Sequence, residues 1–197
     1  LFSAHSFGSD IKKFKMKFSP RLGFSFGTPT AGNDPIKLMQ YFKNCGLLAG
    51  EGVCPINHSK KISQQDIEKQ IQIGETAKNL GLEVGSLSSM NEKDVPTMTA
   101  NKVKRPDGSI VADKPALRAM LEEQLENTFG VLSRVGSKIL IIGPGALDKE
   151  LEWRKQYDNV IDNMSFCADI CKKHGFIMEI EALNTVKEHP GVFCLNN

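Results

Sequence analysis

Apolar positions along the chain follow two alternating patterns: longer stretches with helical spacing, and short runs that are almost continuously apolar. In the longer stretches apolar residues recur three and four positions apart, which predicts amphipathic helices with one buried face. Three such faces are Ile67, Ile71, Gly74, Ala77 and Leu80; Leu117, Leu121, Leu125, Thr128 and Leu132; and Val160, Met164, Cys167 and Cys171. We interpret these faces as core.

A glycine stands at the junction between a helical stretch and the strand-like run that follows it. The four junction glycines are Gly46, Gly81, Gly136 and Gly175. Glycine suits the residue after the last helical turn, because that residue often takes a left-handed conformation that other residues adopt at a steric cost. The runs that follow are LLAGEGV, LEVGSLSS, SKILIIGPG and FIMEIEAL, and an earlier run, RLGFSFGT, supplies a first strand.

Two helix starts are also visible. Asp34 followed by Pro35 is typical of an N-cap with proline at the first helical position. The sequence from Ser63 to Asp66 resembles a capping box.

Strands that alternate with helices predict a parallel sheet built with crossover connections, and therefore the α/β class. Residues 139–142 are all apolar, as expected of a strand that helices cover on both faces. A GxGxxG turn does not follow the first strand, which disfavours a dinucleotide-binding sheet and favours a (β/α)8 TIM barrel. Such a barrel needs eight strands and about 250 residues. We therefore expect an incomplete barrel of about five βα units.

The composition of the chain limits the kinds of molecule that it is expected to bind. The 25 Lys and Arg residues nearly balance the 23 Asp and Glu residues, so the net charge of +2 indicates neither a nucleic-acid nor an acidic membrane partner. Five cysteines without a CxxC pair argue against a disulfide framework and a zinc ribbon. No apolar run reaches the roughly 20 residues of a membrane helix. We expect a small-molecule partner, and leave open whether the chain forms a homo-oligomer.

The amino-terminal residues differ in character from the rest. The chain opens with Leu1 instead of methionine, and residues 1–13 form a polar stretch with little periodicity. We interpret this stretch as a disordered or processed tail, and residues 14–197 as the N-terminal part of a single barrel domain. A cleaved export signal would leave such a tail, which predicts a periplasmic or exported protein. An arbitrary boundary or an incomplete reading frame, with a cytoplasmic protein, is the alternative.

The carboxyl ends of barrel strands are where functional residues gather. Glu181 follows a hydrophobic strand, where burial of a carboxylate without a cation or hydrogen-bond donors is costly. We interpret it as a metal ligand, with a structural glutamate in a salt bridge as the alternative. Glu179 lies two residues earlier, on the same side of the strand, and is expected to support the packing.

Other strand-end residues are candidates for contact with substrate. Glu51, in AGEGV, is one, with a solvated loop residue as its alternative. Asn184 ends the fifth strand region, and His189 lies in the turn-like EHPG sequence, where a surface or packing role is the alternative. Residues 91–114 are expected to form a long polar loop over the substrate.

One segment resembles a known family. IEALNTVKEHPGVF looks like the E-P-L-N motif, followed by H-P-G, an apolar residue and Phe or Tyr, of the hydroxypyruvate isomerase family. The runs VPTMT, ILIIGPG and FKMKFSPRLGFSFG are similar in kind and order, so the resemblance covers about residues 14–197. Ala182 stands where the family has proline.

The resemblance implies a TIM barrel of the xylose isomerase-like type with one divalent cation, Mg²⁺ or Mn²⁺. In that group four side chains from the last four strands bind the cation, and Glu181 matches the first of them. The other three have no counterpart in these residues. The implied reaction converts hydroxypyruvate to tartronate semialdehyde through an enediol, with the cation polarising the oxygens. Glu181 would be both a metal ligand and one of two acid-base groups.

Alternative functions stay open. A related sugar or inositol epimerase or isomerase would use the same kind of site with other loops. A DNA-repair endonuclease on this barrel would need a histidine-rich zinc site and a basic surface, whereas the chain has four histidines. A catalytically incomplete barrel with a binding role is the third alternative. We expect the chain by itself to lack turnover and bind divalent cations weakly, and its unpaired sheet edges to favour association.

Overall fold

The computed structural model describes residues 17–20, 34–51, 67–90, 97–183, 185, 187 and 189–193. The chain divides into two compact units. The first comprises Leu1–Leu87 with Gly130–Ile139, and the second comprises Ser88–Phe129 with Leu140–Asn197. The predicted tail at residues 1–13, the predicted first strand and the predicted capping box all lie outside the described residues.

The first unit contains helices and short parallel strands. In chain order they are α1 (Pro35–Asn44), β1 (Ala49–Gly50), α2 (Ile67–Leu80) and β2 (Glu83–Val84). β1 pairs in parallel with β2, with Ala49 opposite Glu83, as the alternation of strands and helices predicted. Asp34 caps α1 as expected, because its side chain accepts hydrogen bonds from the N–H groups of Ile36 (2.8 Å) and Lys37 (3.2 Å).

The helix-terminal glycines behave as predicted. Gly46, Gly81, Gly136 and Gly175 have φ angles of 79°, 64°, 80° and 76°. These angles are left-handed, a conformation that a Cβ atom disfavours. After the helix Trp153–His174 the N–H of Gly175 donates to the carbonyl of Lys172, which ends the helix. The sequence pattern therefore located four helix ends correctly.

The buried face of α2 differs from the predicted one. Of the predicted residues Ala77 is buried, whereas Ile67 and Ile71 are exposed, and Gln70 and Ile73 are buried in their place. The helix is turned because the backbone at Gly74 lies against the carbonyl of Arg134, and Arg134 Nε donates to Gln70 Oε1 at 2.6 Å. This polar pair buries a glutamine that hydrophobic spacing alone placed outside the core.

The second unit carries the larger sheet. Its elements are β3 (Leu87–Met90), α3 (Thr97–Ala100), β4 (Lys102–Lys104), β5 (Ile110–Ala112), α4 (Lys114–Val135), β6 (Ile139–Ile142), α5 (Trp153–His174) and β7 (Ile177–Ile180), of which β3, α4 and β6 begin or end within the first unit. The strand order is β3-β6-β7, and β4 and β5 form an antiparallel hairpin. No helix among the residues described is long and apolar enough to cross a bilayer.

The predicted faces of α4 and α5 are confirmed. Leu117, Leu121, Leu125, Thr128, Leu132, Val160, Met164, Cys167 and Cys171 are all buried. Burial raises the pKa of the Cys167 thiol to about 12 and that of Cys171 to about 11. Both thiols are therefore protonated near neutral pH and pack as small apolar groups, as the helical spacing predicted.

Two predicted boundaries after the second helix are wrong. The third predicted strand is divided into β2 and β3, which belong to different sheets. Residues 91–114 are not one polar loop, because they include α3, the β4–β5 hairpin and the first residue of α4. Thr97, Met98 and Thr99 of α3 are buried, so this segment is part of the core of the second unit.

Candidate active site

The candidate site lies where the chain leaves β6 and β7. These two strands are neighbours in the sheet and are joined by α5, so they run parallel and end at the same edge. Glu181 is the first residue after β7, as the sequence predicted. Gly143 and Pro144 follow β6 in the same way. The edge formed by these two strand ends is the strand-end face of the second unit.

The side chain of Glu181 is exposed, as is that of Glu179. The expectation that Glu181 is buried is therefore wrong for this chain. Among the described residues β7 lies at an edge of its sheet, and 55% of the apolar Ile177 is exposed there. Because Glu181 is exposed, burial of its carboxylate is no evidence for a bound cation. The role of Glu181 as a metal ligand and acid-base group stays a prediction.

The loops that follow β6 and β7 are joined by a short antiparallel bridge. Ala146 pairs with Val192, the N–H of Leu147 donates to the carbonyl of Gly191 at 2.8 Å, and the N–H of Phe193 donates to the carbonyl of Gly145 at 3.0 Å. Because these hydrogen bonds connect residues far apart in sequence, they fix both loops at the strand-end face. We call residues 145–147 together with residues 191–193 the loop bridge.

His189 belongs to the turn that begins the second half of this bridge. Its carbonyl accepts a hydrogen bond from the N–H of Val192 at 3.3 Å, and its side chain is half-buried. Gly191 has a φ of 84°, so the glycine of the H-P-G sequence is required by the backbone. The turn-like interpretation is confirmed, whereas contact of His189 with substrate stays a prediction.

The segment after β3 also supports the loop bridge, which the sequence did not predict. The Thr99 hydroxyl donates to the carbonyl of Ala146 at 2.6 Å. Asn159 Nδ2 donates to the carbonyl of Thr99 at 2.8 Å, and Asn163 Nδ2 donates to the carbonyl of Met98 at 3.1 Å. A signal was present, because Asn159 and Asn163 are four residues apart and adjoin Val160 and Met164 of the apolar face of α5.

A buried carboxylate fixes the loop between β6 and α5. Asp148 forms an ion pair with Lys102 Nζ at 2.5 Å and accepts a hydrogen bond from the N–H of Glu150 at 2.9 Å. These two donors, Lys102 first, hold the pKa of Asp148 below its ordinary value. Gln156 donates to the carbonyls of Asp148 (2.8 Å) and Leu151 (2.6 Å). The hairpin that carries Lys102 is thereby connected to the strand-end face.

We expect Asp148→Asn to lower the free energy of unfolding near pH 7 by about 1–3 kcal/mol, because a buried charge-assisted hydrogen bond is lost. The pKa of Asp148 is depressed in the folded state, so its stabilisation is complete above the ordinary carboxyl pKa of about 3.9 and disappears as the pH falls through the folded-state value. The difference between wild type and variant should therefore narrow below about pH 4. Urea unfolding at a series of pH values measures it.

Asp162→Asn is the matched control. Asp162 pairs with Lys114 and Arg118 at 2.8 Å, but all three side chains are substantially exposed, so water screens the interaction. We expect a smaller loss than for Asp148→Asn. A stability difference for Asp148→Asn that is constant from pH 7 to pH 3 would show that the ion pair does not fix this loop.

The two other residues predicted to contact substrate are Glu51 and Asn184. Glu51 follows β1 in the first unit and is half-buried, and its N–H donates to the carbonyl of Pro20 at 2.9 Å. Glu181 and His189 belong to the second unit. Asn184 lies outside the described residues. Contact of Glu51 and Asn184 with substrate stays a prediction.

The described residues do not by themselves fit a divalent cation. Among them, no three His, Cys, Asp or Glu side chains come together in a group that could hold a metal ion. Mg²⁺ takes six oxygen ligands in octahedral geometry, and Glu181 supplies a single carboxylate. The Mg²⁺ or Mn²⁺ site therefore rests on the family resemblance alone, and the chemistry derived for Glu181 here is proton transfer.

Solved structures identify the fold. A family 2 AP endonuclease from Brucella melitensis matches with a TM-score of 0.58 and 15% identity over 90% of this chain and 59% of its own. A D-tagatose 3-epimerase-like protein matches with a TM-score of 0.57 and 15% identity over 91% and 56%. A D-psicose 3-epimerase matches with a TM-score of 0.52 and 17% identity over 88% and 55%. No protein-family model and no curated protein sequence matches the chain.

These similarities show that the chain has the fold of part of a xylose isomerase-like TIM barrel. The chain spans a little more than half the length of the three structures above. The predicted fold is confirmed at this level. At such identities the structures establish the fold and leave the reaction open, because one barrel supports many activities.

Proposed function

We propose that the protein isomerises or epimerises a small hydroxy-carbonyl compound, and that its reaction is the conversion of hydroxypyruvate to tartronate semialdehyde. The observation that carries the proposal is the position of Glu181 directly after β7, within the family-like motif whose H-P-G turn forms part of the loop bridge. A carboxylate beside the substrate can take a proton from a carbon next to the carbonyl and return it to the neighbouring carbon.

The fold supports the same elementary step with another substrate. Two of the similar structures are described as 3-epimerases or 3-epimerase-like. Carbon 3 of a ketose adjoins the carbonyl at carbon 2, so epimerisation there also begins with removal of a proton next to a carbonyl. A related sugar epimerase is therefore the alternative, and the loops at the strand-end face would choose between the substrates.

The test is a turnover assay of the product of the complete reading frame that contains these residues. Hydroxypyruvate and D-fructose are each incubated with the protein and Mn²⁺ in D₂O and followed by proton NMR. We expect tartronate semialdehyde with deuterium on the carbon that receives the proton, because the proton of a carboxyl group exchanges with D₂O between turnovers. Epimerisation of D-fructose alone would select the alternative, and inertness towards both would refute the proposal.

We expect the 197-residue chain alone to bind Mn²⁺ weakly and to show no turnover of hydroxypyruvate. Several ligands in fixed geometry are needed for a tight site, and the resemblance matches one of them, Glu181. Calorimetric titration of the chain with Mn²⁺, beside the turnover assay, measures both quantities. Tight one-to-one binding with turnover would place the whole site within these residues, and would contradict the ligand set that the resemblance implies.

A further inference from the structure

Thr99 uses its hydroxyl differently from two other threonines in helices. The hydroxyls of Thr76 and Thr128 each donate to the carbonyl four residues earlier in their own helix, at 2.8 Å and 2.7 Å. Such a local bond is the ordinary one for a threonine within a helix. The hydroxyl of Thr99, which is completely buried, donates instead to Ala146, in the loop after β6. The bond therefore joins two segments of the second unit that are distant in sequence.

The loop bridge leaves the carbonyl of Ala146 in need of such a donor. The two hydrogen bonds of the bridge are made by the residues that flank Ala146 and Val192. Ala146 and Val192 are thus an antiparallel pair whose own N–H and C=O groups point away from each other. Because Ala146 is buried, a carbonyl without a donor would be costly there. The Thr99 hydroxyl, at 2.6 Å, supplies the donor.

α5 fixes the position of Thr99. Because the last four carbonyls of any helix lack an intrahelical partner, those of the four-residue α3 need donors from elsewhere. Asn159 Nδ2 donates to the carbonyl of Thr99 at 2.8 Å, and Asn163 Nδ2 donates to that of Met98 at 3.1 Å. These hydrogen bonds form a relay that runs from α5 through Thr99 to the loop bridge.

The loop bridge closes the segment that contains the residues predicted to carry the reaction. Residues 181–190 connect β7 to the bridge, and Glu181, Asn184 and His189 all lie within them. Pairing of β7 within its sheet fixes one end of this segment, and the bridge fixes the other. Fixing both ends restricts the conformations that the residues between them can adopt.

We propose that Thr99 is a positioning residue for the proposed reaction. Its hydroxyl keeps the loop bridge closed, and the closed bridge keeps residues 181–190 in the arrangement from which Glu181 transfers the proton. Thr99 is buried in the core of the second unit, so it acts through the bridge and not on the reacting atoms. The effect on catalysis rests on the proposed function, whereas closure of the bridge does not.

Hydrogen exchange of backbone amides measures closure of the bridge. In the product of the complete reading frame, Thr99→Val removes the hydroxyl and keeps the shape of the side chain. The amides of Leu147 and Phe193, which donate across the bridge, should exchange roughly 10- to 100-fold faster. The amide of Phe176, after α5, should be unaffected, because the opening is local. Unchanged exchange at Leu147 and Phe193 would overturn the proposal.

Steady-state kinetics measure the link between the bridge and catalysis. We expect Thr99→Val to lower kcat about tenfold and to change KM by less than about threefold, because an acid-base group that is aligned less often slows the reaction more than it weakens substrate binding. Thr99→Ser retains the hydroxyl and should restore most of kcat together with slow exchange at the bridge.

Thr128→Val is the matched control. Thr128 is also buried, but its hydroxyl bond stays within α4. Both kcat and exchange at the bridge should keep their wild-type values. Asn159→Ala changes the relay at a half-buried residue, and it provides the same measurement if Thr99→Val does not fold. It should accelerate exchange at Leu147 and Phe193 by less than Thr99→Val does.

Failure of this proposal can be told apart from failure of the proposed function. Inertness of the wild-type protein would refute the proposed function, and the exchange measurement would still decide whether Thr99 holds the bridge closed. In an active protein, faster exchange with an unchanged kcat would overturn the positioning role and leave the proposed function standing. An equal loss of kcat in Thr99→Ser and Thr99→Val would also overturn it, because the hydroxyl would then not be the cause.

Discussion

In the product of the complete reading frame, replacing Glu181 by glutamine should reduce turnover of hydroxypyruvate by roughly 10³-fold, the usual size of a general acid-base contribution. Glutamine keeps the shape of the side chain and its ability to accept hydrogen bonds, but it cannot take up a proton from carbon. Because glutamine has nearly the same volume as glutamate, the substitution should leave the fold intact. Measured kcat and KM, with a melting curve for each protein, check the prediction.

Glu179→Gln is the matched control. Glu179 carries the same charge, but it lies within β7, two residues before Glu181. We expect its kcat to stay within a few-fold of the wild-type value. If Glu181→Gln and Glu179→Gln had the same small effect, Glu181 could not be the group that transfers the proton.

The features that the sequence predicted well are those with local causes. A helix end that needs a left-handed residue is marked by its own glycine, so Gly46, Gly81, Gly136 and Gly175 were all identified. The faces of α4 and α5 were also correct, because each helix has 22 residues and its apolar period is sustained over several turns.

The features that the sequence did not predict have non-local causes. The face of α2 is determined by the bond between Gln70 and Arg134, which lie in different helices. The exposure of β7 depends on which elements cover it, and an apolar strand has the same composition whether or not it is covered. The β4–β5 hairpin had a local signal in RPDG, where Gly108 has a φ of 87°, but the surrounding polar residues favoured a loop.

The candidate site also combines features with local causes, which the sequence predicted, and features with non-local causes, which it did not. The position of Glu181 after a strand followed from the hydrophobic run before it, and the glycine of the H-P-G sequence marked a turn. The loop bridge could not be predicted, because the hydrogen bonds of Gly145 with Phe193 and of Leu147 with Gly191 join two loops separated by the whole of α5. The sequence therefore indicated which residue could carry the chemistry, Glu181. The loops around it are placed by the pairing of distant segments, which the sequence does not show.

The largest expected effect on stability comes from Gly74→Ala. A Cβ atom at Gly74 would lie 2.1 Å from the carbonyl oxygen of Arg134 and 3.1 Å from its carbonyl carbon. Because the obstacle is helix backbone, α2 and the end of α4 would have to move apart, and the hydrogen bond from Arg134 to Gln70 would be strained. We expect the free energy of unfolding to fall by about 3 kcal/mol, after allowance for the higher helix propensity of alanine.

Gly130→Ala tests whether contact, not helix propensity, causes that loss. Gly130 lies inside α4, and the nearest atoms to a Cβ atom there would be those of the Arg134 guanidinium, at 3.3 Å or more, the end of a long side chain that needs to shift by only a few tenths of an ångström. Alanine should therefore raise the free energy of unfolding by up to about 1 kcal/mol, the ordinary gain over glycine within a helix. Urea unfolding of both variants measures the change in the free energy of unfolding relative to the wild type. We expect this change to have opposite signs for Gly74→Ala and Gly130→Ala if α2 and the end of α4 touch through their backbones at Gly74. A Gly74→Ala variant as stable as the Gly130→Ala variant would show that Gly74 has room for a side chain.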